Sequence, residues 1–413
     1  MKIVLFIDNH SMDNVDISSL PKGNPGIGGT QYEMFLLAYL MFQKQNEIDF
    51  QLVLTHKQAG FDFQNIFIVN QYTDIFSYCE DNAIDILIMR ENKYFDLIHQ
   101  LTNTKVVFWI HNLIGYPIVK RIGSEKNIKR VVFVSKQHYD FYLEYNINKK
   151  ETYIFNTLAF PEHLPESTKK ANNVVFTGNI VPIKRLHLVT KIWPYIVKKV
   201  PDAKLLVIGT GANAHRDVEL GPHKLASKEY EEQIFKPLNK HHLLNTVEFL
   251  GIRGIDKNEI IRTAKVGVSP NKDETFCLSA AEYILNGVPV VGVSRGGIND
   301  VVINNETGFL HRSLRKIKKD IVRVLQGKKN IVIQNNSIEK MKARFSYETF
   351  ITSWMRNIQD VYNDVEVKRL HSSKPRWDKA KWVGSIFRFL RRLFKLPERF
   401  SRLGLYSLFR RPR

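Results

Sequence analysis

The stretch Val266–Val293 reads VGVSPNKDETFCLSAAEYILNGVPVVGV. It begins and ends in short runs rich in valine, which favour β-strands. Between them, Leu278–Leu285 has the apolar spacing of a helix. A strand, a helix and a second strand in succession form the βαβ unit, which places two parallel strands in one sheet. This stretch therefore predicts an α/β protein of the doubly wound class.

Further βα units precede and follow this stretch. Short apolar runs alternate with helical patterns such as Leu186–Lys199, which predicts parallel sheets. The runs are nearly continuous rather than alternating, as in strands that helices cover on both faces. In the first half of the chain, the predicted strands are Lys2–Ile7, Phe50–Leu54, Ile66–Val69, Asp85–Met89, Lys105–Ile110, Arg130–Val134 and Thr152–Phe155. In the second half, they are Asn173–Phe176, Lys204–Gly209, Val247–Gly251, Val266–Ser269, Pro289–Val293 and Gly308–His311.

The chain of 413 residues is long enough for two such domains. Ala159–Glu166 is polar and contains two prolines, which indicates a linker. We therefore expect one domain over residues 1–158 and a second over 159–345. A helix over about 346–365 would close the first domain, and a tail would follow over 366–413. Two such domains in tandem place a cleft at the carboxyl ends of their strands, where ligands bind in these sheets.

Composition excludes several classes of protein. Hydrophobic residues make up 44% of the chain, which excludes wholesale disorder, and no apolar run approaches the roughly 18 residues of a spanning helix. The first apolar run, Ile3–Ile7, is shorter than the core of an export signal. Cys79 and Cys277 are far apart and form neither a disulfide framework nor a zinc motif. We expect a protein of the reducing cytosol.

The positive charge is concentrated at the C-terminus. Of the net charge of +20, +12 falls on residues 366–413 and +8 on residues 1–365. The tail combines basic residues with an apolar stripe, which predicts an amphipathic helix at the surface of an anionic membrane. A helix packed on the body, a disordered tail and a nucleic-acid-binding tail are the alternatives. The stripe consists of Trp382, Ile386, Phe389, Leu390, Leu393 and Phe394.

The polar loop before Leu278 is the candidate site. We expect the helix to begin near Phe276, so that the N–H groups of Phe276, Cys277 and Leu278 face the cleft and attract an anion such as a diphosphate. Glu274 in the loop could accept hydrogen bonds from sugar hydroxyls. Glu282, about two turns along the helix, could reach a more distant group of the same ligand. Without further context, a solvated side chain and a helix cap would be the more ordinary explanation of the two glutamates.

Other motifs supply that context. Together with the Glu274 loop, they resemble the retaining nucleotide-sugar glycosyltransferases of family 4, the glycosyl transferases group 1 domain with the GT-B fold. The resemblance covers residues 160–365, is weaker over 1–158 and does not include the tail. The motifs are FTGNIVPIKR at Phe176–Arg185, AKLLVIGTG at Ala203–Gly211, GVPVV at Gly287–Val291 and GGIND at Gly296–Asp300.

The resemblance implies two Rossmann-like domains facing a cleft, a nucleotide-sugar donor, and a glycan or lipid-linked acceptor. It also implies retention of configuration and a role in making cell-surface polysaccharide or glycolipid. By the same resemblance, Glu274 holds the hydroxyls of the donor sugar and Glu282 holds the ribose. Lys184 matches the lysine of the family that binds phosphate, which suits the growing charge of a diphosphate leaving group.

The first half of the chain matches the family at two places. Gly28 and Gly29, within GIGGT at Gly26–Thr30, resemble the glycine loop that passes close to the donor or acceptor. His111, in WIHN at Trp109–Asn112, matches a histidine near the transferred sugar. We therefore expect His111, Lys184 and Glu274 to act in catalysis. The predicted donor-binding residues are Gly28, Gly29, Asn179, Lys184, Arg185, Arg253, Glu274, Phe276, Cys277, Leu278 and Glu282.

Two positions depart from the pattern of the family. Asn179 replaces the usual arginine, so one diphosphate cation is missing, and Arg185 is a candidate to compensate for it. Cys277 replaces a common glycine, and its small side chain is either tolerated there or narrows the donor pocket. Arg253 is a candidate contact for the nucleotide base.

Absent motifs narrow the reaction class. The sequence contains no Asp-x-Asp triplet and no Walker A loop, so we expect no metal, no cofactor and no P-loop chemistry. GTGANA at Gly209–Ala214 follows a strand, but no helix pattern opens behind it, which argues against a dinucleotide site. We expect a transferase at the inner face of the membrane that binds no nucleic acid. The alternatives are a nucleotide-sugar epimerase or a phosphorylase of the same fold, and a non-enzymatic basic membrane- or nucleic-acid-binding protein.

Overall fold

The computed structural model of the protein describes residues 1–12, 15–44, 48–90, 95–142, 147, 149–161, 170–211, 219–329 and 331–367. Two parallel sheets lie one after the other along the chain, as the sequence predicts. The first sheet has the order β3-β2-β1-β4-β5-β6-β7. Its strands are β1 Lys2–Ile7, β2 Asp49–Leu54, β3 Ile66–Ile68, β4 Ile86–Met89, β5 Lys105–Ile110, β6 Ile128–Phe133 and β7 Glu151–Tyr153.

The second sheet has the order β10-β9-β8-β11-β12-β13, and all its pairings are parallel. Every strand of the described residues coincides with a predicted one, with ends that differ by two residues at most. The strands are β8 Ala171–Thr177, β9 Lys204–Ile208, β10 Val247–Phe249, β11 Ala264–Ser269, β12 Val290–Val293 and β13 Gly308–His311.

Helices cover both faces of each sheet, which explains the continuous apolar runs of the strands. In the first half they are α1 Gly29–Phe42, α2 Asp74–Asp81, α3 Tyr116–Ser124 and α4 Lys136–Tyr142. In the second half they are α5 Leu186–Lys199, α6 Lys228–Lys240, α7 Lys257–Arg262, α8 Leu278–Leu285, α9 Ile298–Val301, α10 Leu314–Leu325 and α11 Asn335–Phe345. The last described helix is α12 Tyr347–Tyr362.

Three apolar cores hold these layers together. One core lies between the first sheet and α2, α3 and α4. A second lies between the second sheet and α5, α6 and α10. The third runs through both halves, from α1 and α12 to α7, α8 and α9. Within it, Trp354 of α12 packs against Trp109 of β5, with ring centroids 4.8 Å apart, so the last helix returns to the first half of the chain.

The chain passes between the two halves twice, near Thr157 and near Phe345, and these two segments are hydrogen-bonded to each other. The Thr157 hydroxyl donates to the Phe345 carbonyl at 2.7 Å, and the Leu158 N–H donates to the same oxygen at 2.9 Å. The Thr157 N–H donates to the buried Glu33 carboxyl of α1 at 3.1 Å. Burial raises the pKa of Glu33 well above its ordinary value. These contacts fix where the chain passes from one half to the other.

The basic amphipathic helix predicted for the tail falls on residues 368–413, which lie outside the described residues. Among the helices that the structure does describe, none is both long enough and apolar enough to cross a membrane. The described chain ends beside the first sheet, where Arg130 donates to the Val365 carbonyl at 3.0 Å.

Candidate functional site

A cleft of about 1140 Å³ lies between the two halves. Its walls are the loops that follow β1 and β5 in the first sheet and β8, β9 and β11 in the second. The strands end there, as expected for a ligand site in such sheets. Eleven of the twelve sequence-predicted site residues line this cleft: Gly28, Gly29, His111, Asn179, Lys184, Arg253, Glu274, Phe276, Cys277, Leu278 and Glu282. Arg185, with a left-handed backbone at φ 59° before α5, does not line it.

Lys184 and Glu274 form an ion pair in the cleft, with 2.7 Å between Nζ and Oε1. The amide of Asn271 donates to the same carboxylate oxygen. Burial opposes the charged ammonium, but Glu274 outweighs this effect and raises the pKa of Lys184 above its ordinary value. The side chain of Lys184 is still 34% exposed. The cleft therefore keeps a permanent cation that a ligand can reach.

Helix α8 begins at Leu278, two residues after the predicted start near Phe276, because Cys277 interrupts the helical geometry. Cys277 has φ 86°, in the left-handed region, which costs a non-glycine residue roughly 1–2 kcal/mol. Burial, with a smaller effect of Glu274, raises the pKa of its thiol to about 11. Leu278 and Ser279, the first two residues of α8, line the cleft, and their N–H groups precede the first hydrogen bond of the helix. Cys277 is thus a neutral thiol at an anion-attracting helix start.

Glu282 is paired with Lys257, a residue that the sequence analysis missed. The distance from Lys257 Nζ to Glu282 Oε1 is 2.7 Å, and the two side chains are 7% and 19% exposed. The pair forms because α7 packs against α8. One signal was available in the sequence. Lys257 lies four residues before the buried Ile261, so a lysine stands on the apolar face of a short helix.

His111 follows β5 directly and is 4% exposed. Its ring lies 4.5 Å from that of Trp109, and its Nε2 has no hydrogen-bond partner in the described part of the chain. Burial, helped by Arg90 and His138, holds the pKa of His111 well below its ordinary value. The imidazole at the wall of the cleft is therefore neutral.

Thr275 joins the two walls of the cleft. Its hydroxyl donates to the His111 carbonyl at 2.7 Å, and its own carbonyl accepts a hydrogen bond from the Ser135 hydroxyl at 2.5 Å. On the other side of the loop, the Gly297 N–H donates to the Glu274 carbonyl at 2.7 Å. A Cβ at Gly297 would lie 2.2 Å from the Thr275 carbonyl oxygen, so only glycine fits. Thr275 thereby fixes the position of Glu274 relative to His111.

The glycine loop meets the second half at two points. Gly29 lies against Leu278, since a Cβ there would be 2.9 Å from the leucine side chain. Gly26, at φ 100°, lies against the backbone of Arg253. The guanidinium of Arg253 donates to the Leu250 carbonyl at 3.1 Å and contacts Asp256 at 3.5 Å. The loops of the two halves thus close over one end of the cleft.

No group of three or more His, Cys, Asp or Glu side chains is placed to hold a metal ion within the described ranges. Cations and amide groups are the features of the cleft that could bind an anion. The lining also includes three carboxylates, those of Asp273, Glu274 and Glu282, which could accept hydrogen bonds from hydroxyl groups. This combination can bind a molecule that contains both a phosphate group and several hydroxyls.

Residues 161–343 match the family model described as Glycosyl transferases group 1, which confirms the resemblance drawn from the motifs. The trehalose synthase of Pyrococcus horikoshii is 25% identical over 223 residues, covering 54% of this chain and 50% of that protein. The GDP-Man:Man(3)GlcNAc(2)-PP-Dol alpha-1,2-mannosyltransferase of Dictyostelium discoideum is 24% identical, covering 51% of this chain and 41% of that protein. The chain thus spans about half the length of the curated relatives it matches.

Solved structures confirm the GT-B fold. The sucrose-phosphate synthase of Thermosynechococcus elongatus has a TM-score of 0.65 at 16% identity, over 88% of this chain and 100% of that one. Anabaena Alr3699/HepE, in complex with UDP and glucose, has a TM-score of 0.64 at 13% identity, over 87% of this chain and 100% of that one. At these identities the likeness establishes the fold alone.

Proposed function

We propose that this protein is a glycosyltransferase that moves a sugar from a nucleotide-sugar donor to a glycan or lipid-linked acceptor. The observation that carries the proposal is the arrangement of two lysine–glutamate pairs in one cleft. Glu274 and Glu282 lie on the loop and helix α8 that follow β11, and Lys184 and Lys257 reach them from the segment after β8 and from α7. The family match over residues 161–343 supports this reading.

Lys184 and the start of α8 would hold the donor diphosphate. When the bond to the sugar breaks, negative charge grows on the leaving phosphate. A fixed cation and oriented N–H groups stabilise that charge without any reorganisation of water. Because Glu274 keeps Lys184 protonated, this stabilisation is present over the whole neutral range of pH.

The two carboxylates would recognise hydroxyl groups. Glu274, oriented by Asn271 and Lys184, is placed to hold the transferred sugar. Glu282, oriented by Lys257, would hold the ribose. Each carboxylate is fixed by a cation before the donor arrives, so little conformational entropy is lost on binding.

Transfer would proceed with retention and without an enzyme nucleophile. The Cys277 thiol is protonated and buried, so it is not an activated nucleophile. The acceptor would attack on the face that the diphosphate leaves, and the departing phosphate would take the proton of the acceptor. His111, as a neutral imidazole, would hydrogen-bond to the sugar through its unpartnered Nε2.

The acceptor would bind against the first half of the cleft. Its lining there includes Met12, Ile114 and Phe141, an apolar wall that suits a lipid-linked acceptor. A poly(glycerol-phosphate) alpha-glucosyltransferase of Bacillus subtilis and the GDP-Man:Man(3)GlcNAc(2)-PP-Dol mannosyltransferase above are among the matched proteins. By analogy, we infer a role in cell-surface polysaccharide or glycolipid synthesis, on the cytoplasmic face of the membrane, with the basic tail as a peripheral contact.

A donor screen tests the proposal. Purified protein is melted with UDP-, GDP- and ADP-sugars, and release of nucleoside diphosphate is measured with and without lipid-linked acceptor and EDTA. A donor at about 100 times its dissociation constant adds about 2.7 kcal/mol of stability. That gain is expected to vanish in Lys184→Ala and Glu282→Ala and to remain in the exposed control Lys204→Ala.

The outcomes separate the alternatives. Acceptor-dependent release of nucleotide, with an unchanged anomeric configuration by NMR and activity in EDTA, supports the retaining, metal-independent transferase. Donor isomerised without acceptor supports an epimerase. If no nucleotide sugar stabilises the protein, the proposal is wrong.

A further inference from the structure

The net charge of residues 1–365 is carried by two helices of the second half. α5 has three lysines and no acidic residue, and residues 312–329 around α10 have eight basic residues and one aspartate. These segments together carry +10, whereas all of residues 1–365 carry only +8. The rest of the body is therefore slightly acidic. The excess of positive charge in the body therefore lies in these two segments.

The basic side chains of these two helices lie on one exposed surface, which we call the basic face. α5 and α10 pack side by side over the second sheet, and the Lys318 ammonium lies 4.3 Å above the ring of Tyr195, where the helices meet. The one acidic residue of the two helices, Asp320, is buried and bonded to His311 and Lys329. We define the basic face by Lys191, Tyr195, Lys198, Lys199, Arg315, Lys318 and Lys319.

Three of these cations have no acidic partner in the part of the chain that the structure describes. Lys198 and Lys199, at the end of α5, and Lys319 on α10 are exposed and make no ion pair within the described residues. Like charges at helical spacing, such as Arg315 and Lys319, repel each other and destabilise a helix by a few tenths of a kcal/mol. A face of this kind is available to an anionic partner.

We propose that the basic face binds anionic phospholipid headgroups, so that the folded body itself contacts the membrane. Five of its six cations are lysines, flexible point charges that suit the diffuse charge of a bilayer. Its residues include a single aromatic ring, that of Tyr195, whereas proteins that bind single-stranded nucleic acid use several stacking rings along a channel. Residues 366–413 combine bulky apolar and basic residues. Stable peripheral binding needs two such signals, and this face would supply the second.

Vesicle flotation of the full chain tests this proposal. The vesicles contain phosphatidylcholine alone or with about one third phosphatidylglycerol. Each lysine near an anionic surface strengthens binding about fivefold. The triple variant Lys198→Glu/Lys199→Glu/Lys319→Glu should therefore bind the anionic vesicles at least about 100-fold more weakly than the wild type.

A matched control reverses three exposed lysines of the neighbouring α6, as Lys228→Glu/Lys236→Glu/Lys240→Glu. It has the same net charge as the first variant and should keep most of the binding. Thermal melts verify that both variants fold. Flotation of the first variant equal to that of the wild type would overturn the proposal. The proposal would also be overturned if the first variant lost binding to labelled poly-U RNA while its binding to vesicles stayed unchanged. Sugar transfer to a short water-soluble acceptor should be the same in both variants, so this test fails or succeeds independently of the proposed activity.

Discussion

Replacing Lys257 by methionine would leave the Glu282 carboxylate without its cation. Lys257 is 7% exposed, and its Nζ lies 2.7 Å from Glu282 Oε1. Methionine keeps most of the apolar stem, so the change removes mainly the charge and its hydrogen bond. Breaking one side of a buried ion pair costs about 3–5 kcal/mol. Because Glu282 is 19% exposed to the cleft, we expect the lower end, about 3 kcal/mol.

The assay is urea unfolding of a double-mutant cycle. Lys257→Met, Glu282→Gln and the double variant are compared with the wild type at pH 7. The double variant should lose less unfolding free energy than the two single variants lose together, since neither charge is then left without a partner. The matched control is Lys204→Met, which breaks the Lys204–Glu248 pair at 2.9 Å. The side chains of Lys204 and Glu248 are both about half exposed, so Lys204→Met should lose less than about 1 kcal/mol of unfolding free energy.

Two results would refute this reasoning. Additive losses would mean that the two residues do not interact in solution. A loss in Lys257→Met no greater than in Lys204→Met would mean that water enters the cleft and screens the pair as it does at the surface.

Three further predictions concern the contacts around the cleft. Thr275→Val removes the hydroxyl that donates to the His111 carbonyl and so loosens the position of Glu274 relative to His111. Turnover should fall about tenfold with little change in KM, and Thr275→Ser, which keeps the hydroxyl, should restore the turnover. Burial lowers the pKa of His138 to about 3, so below pH 6.5 the unfolded chain binds a proton that the native state does not. Relative to His138→Gln, the wild type should therefore lose about 2 kcal/mol of stability between pH 7 and 5, as measured by urea titration of both proteins. Burial raises the pKa of Asp300 to about 6, so between pH 6 and 4 the native state holds a proton that the unfolded chain has lost, and the contribution of Asp300 to stability falls as pH rises. Asp300→Asn should therefore be about 2 kcal/mol more stable than the wild type at pH 7, and equal urea unfolding curves for the two proteins would contradict this.

The elements of the fold could be predicted from the sequence because their signals are local. Lys105–Ile110 is a lysine followed by an unbroken apolar run, and Leu186–Lys199 has helical periodicity, and both predicted elements match the structure to the residue. The order of the strands could not be predicted in the same way. β1 pairs with β2 and β4, and that choice depends on contacts between residues far apart in the chain.

The site was partly predictable for the same reason. The residues of the Glu274 loop are contiguous, and their types indicate their chemistry. Lys257 was missed because its partner Glu282 lies on another helix. Ser135 and Thr275 were missed because they bond to backbone carbonyls, which every residue has and no sequence pattern marks. The basic face was missed because the sequence gives the charge of a segment and not the direction in which its side chains point.

The two lysine–glutamate pairs have the same arrangement, and this arrangement affects how a donor would bind. In the described structure, Glu274 and Glu282 both use Oε1 for their lysine, so the second oxygen of each can accept a hydroxyl group. A lysine has three donors and can keep its glutamate while it binds a phosphate. The donor therefore does not have to break either pair, and no buried charge is left uncompensated before or after binding. If this is right, Glu274→Gln should weaken donor binding less than Lys184→Met does, because glutamine can still hydrogen-bond to the sugar whereas methionine offers the diphosphate nothing.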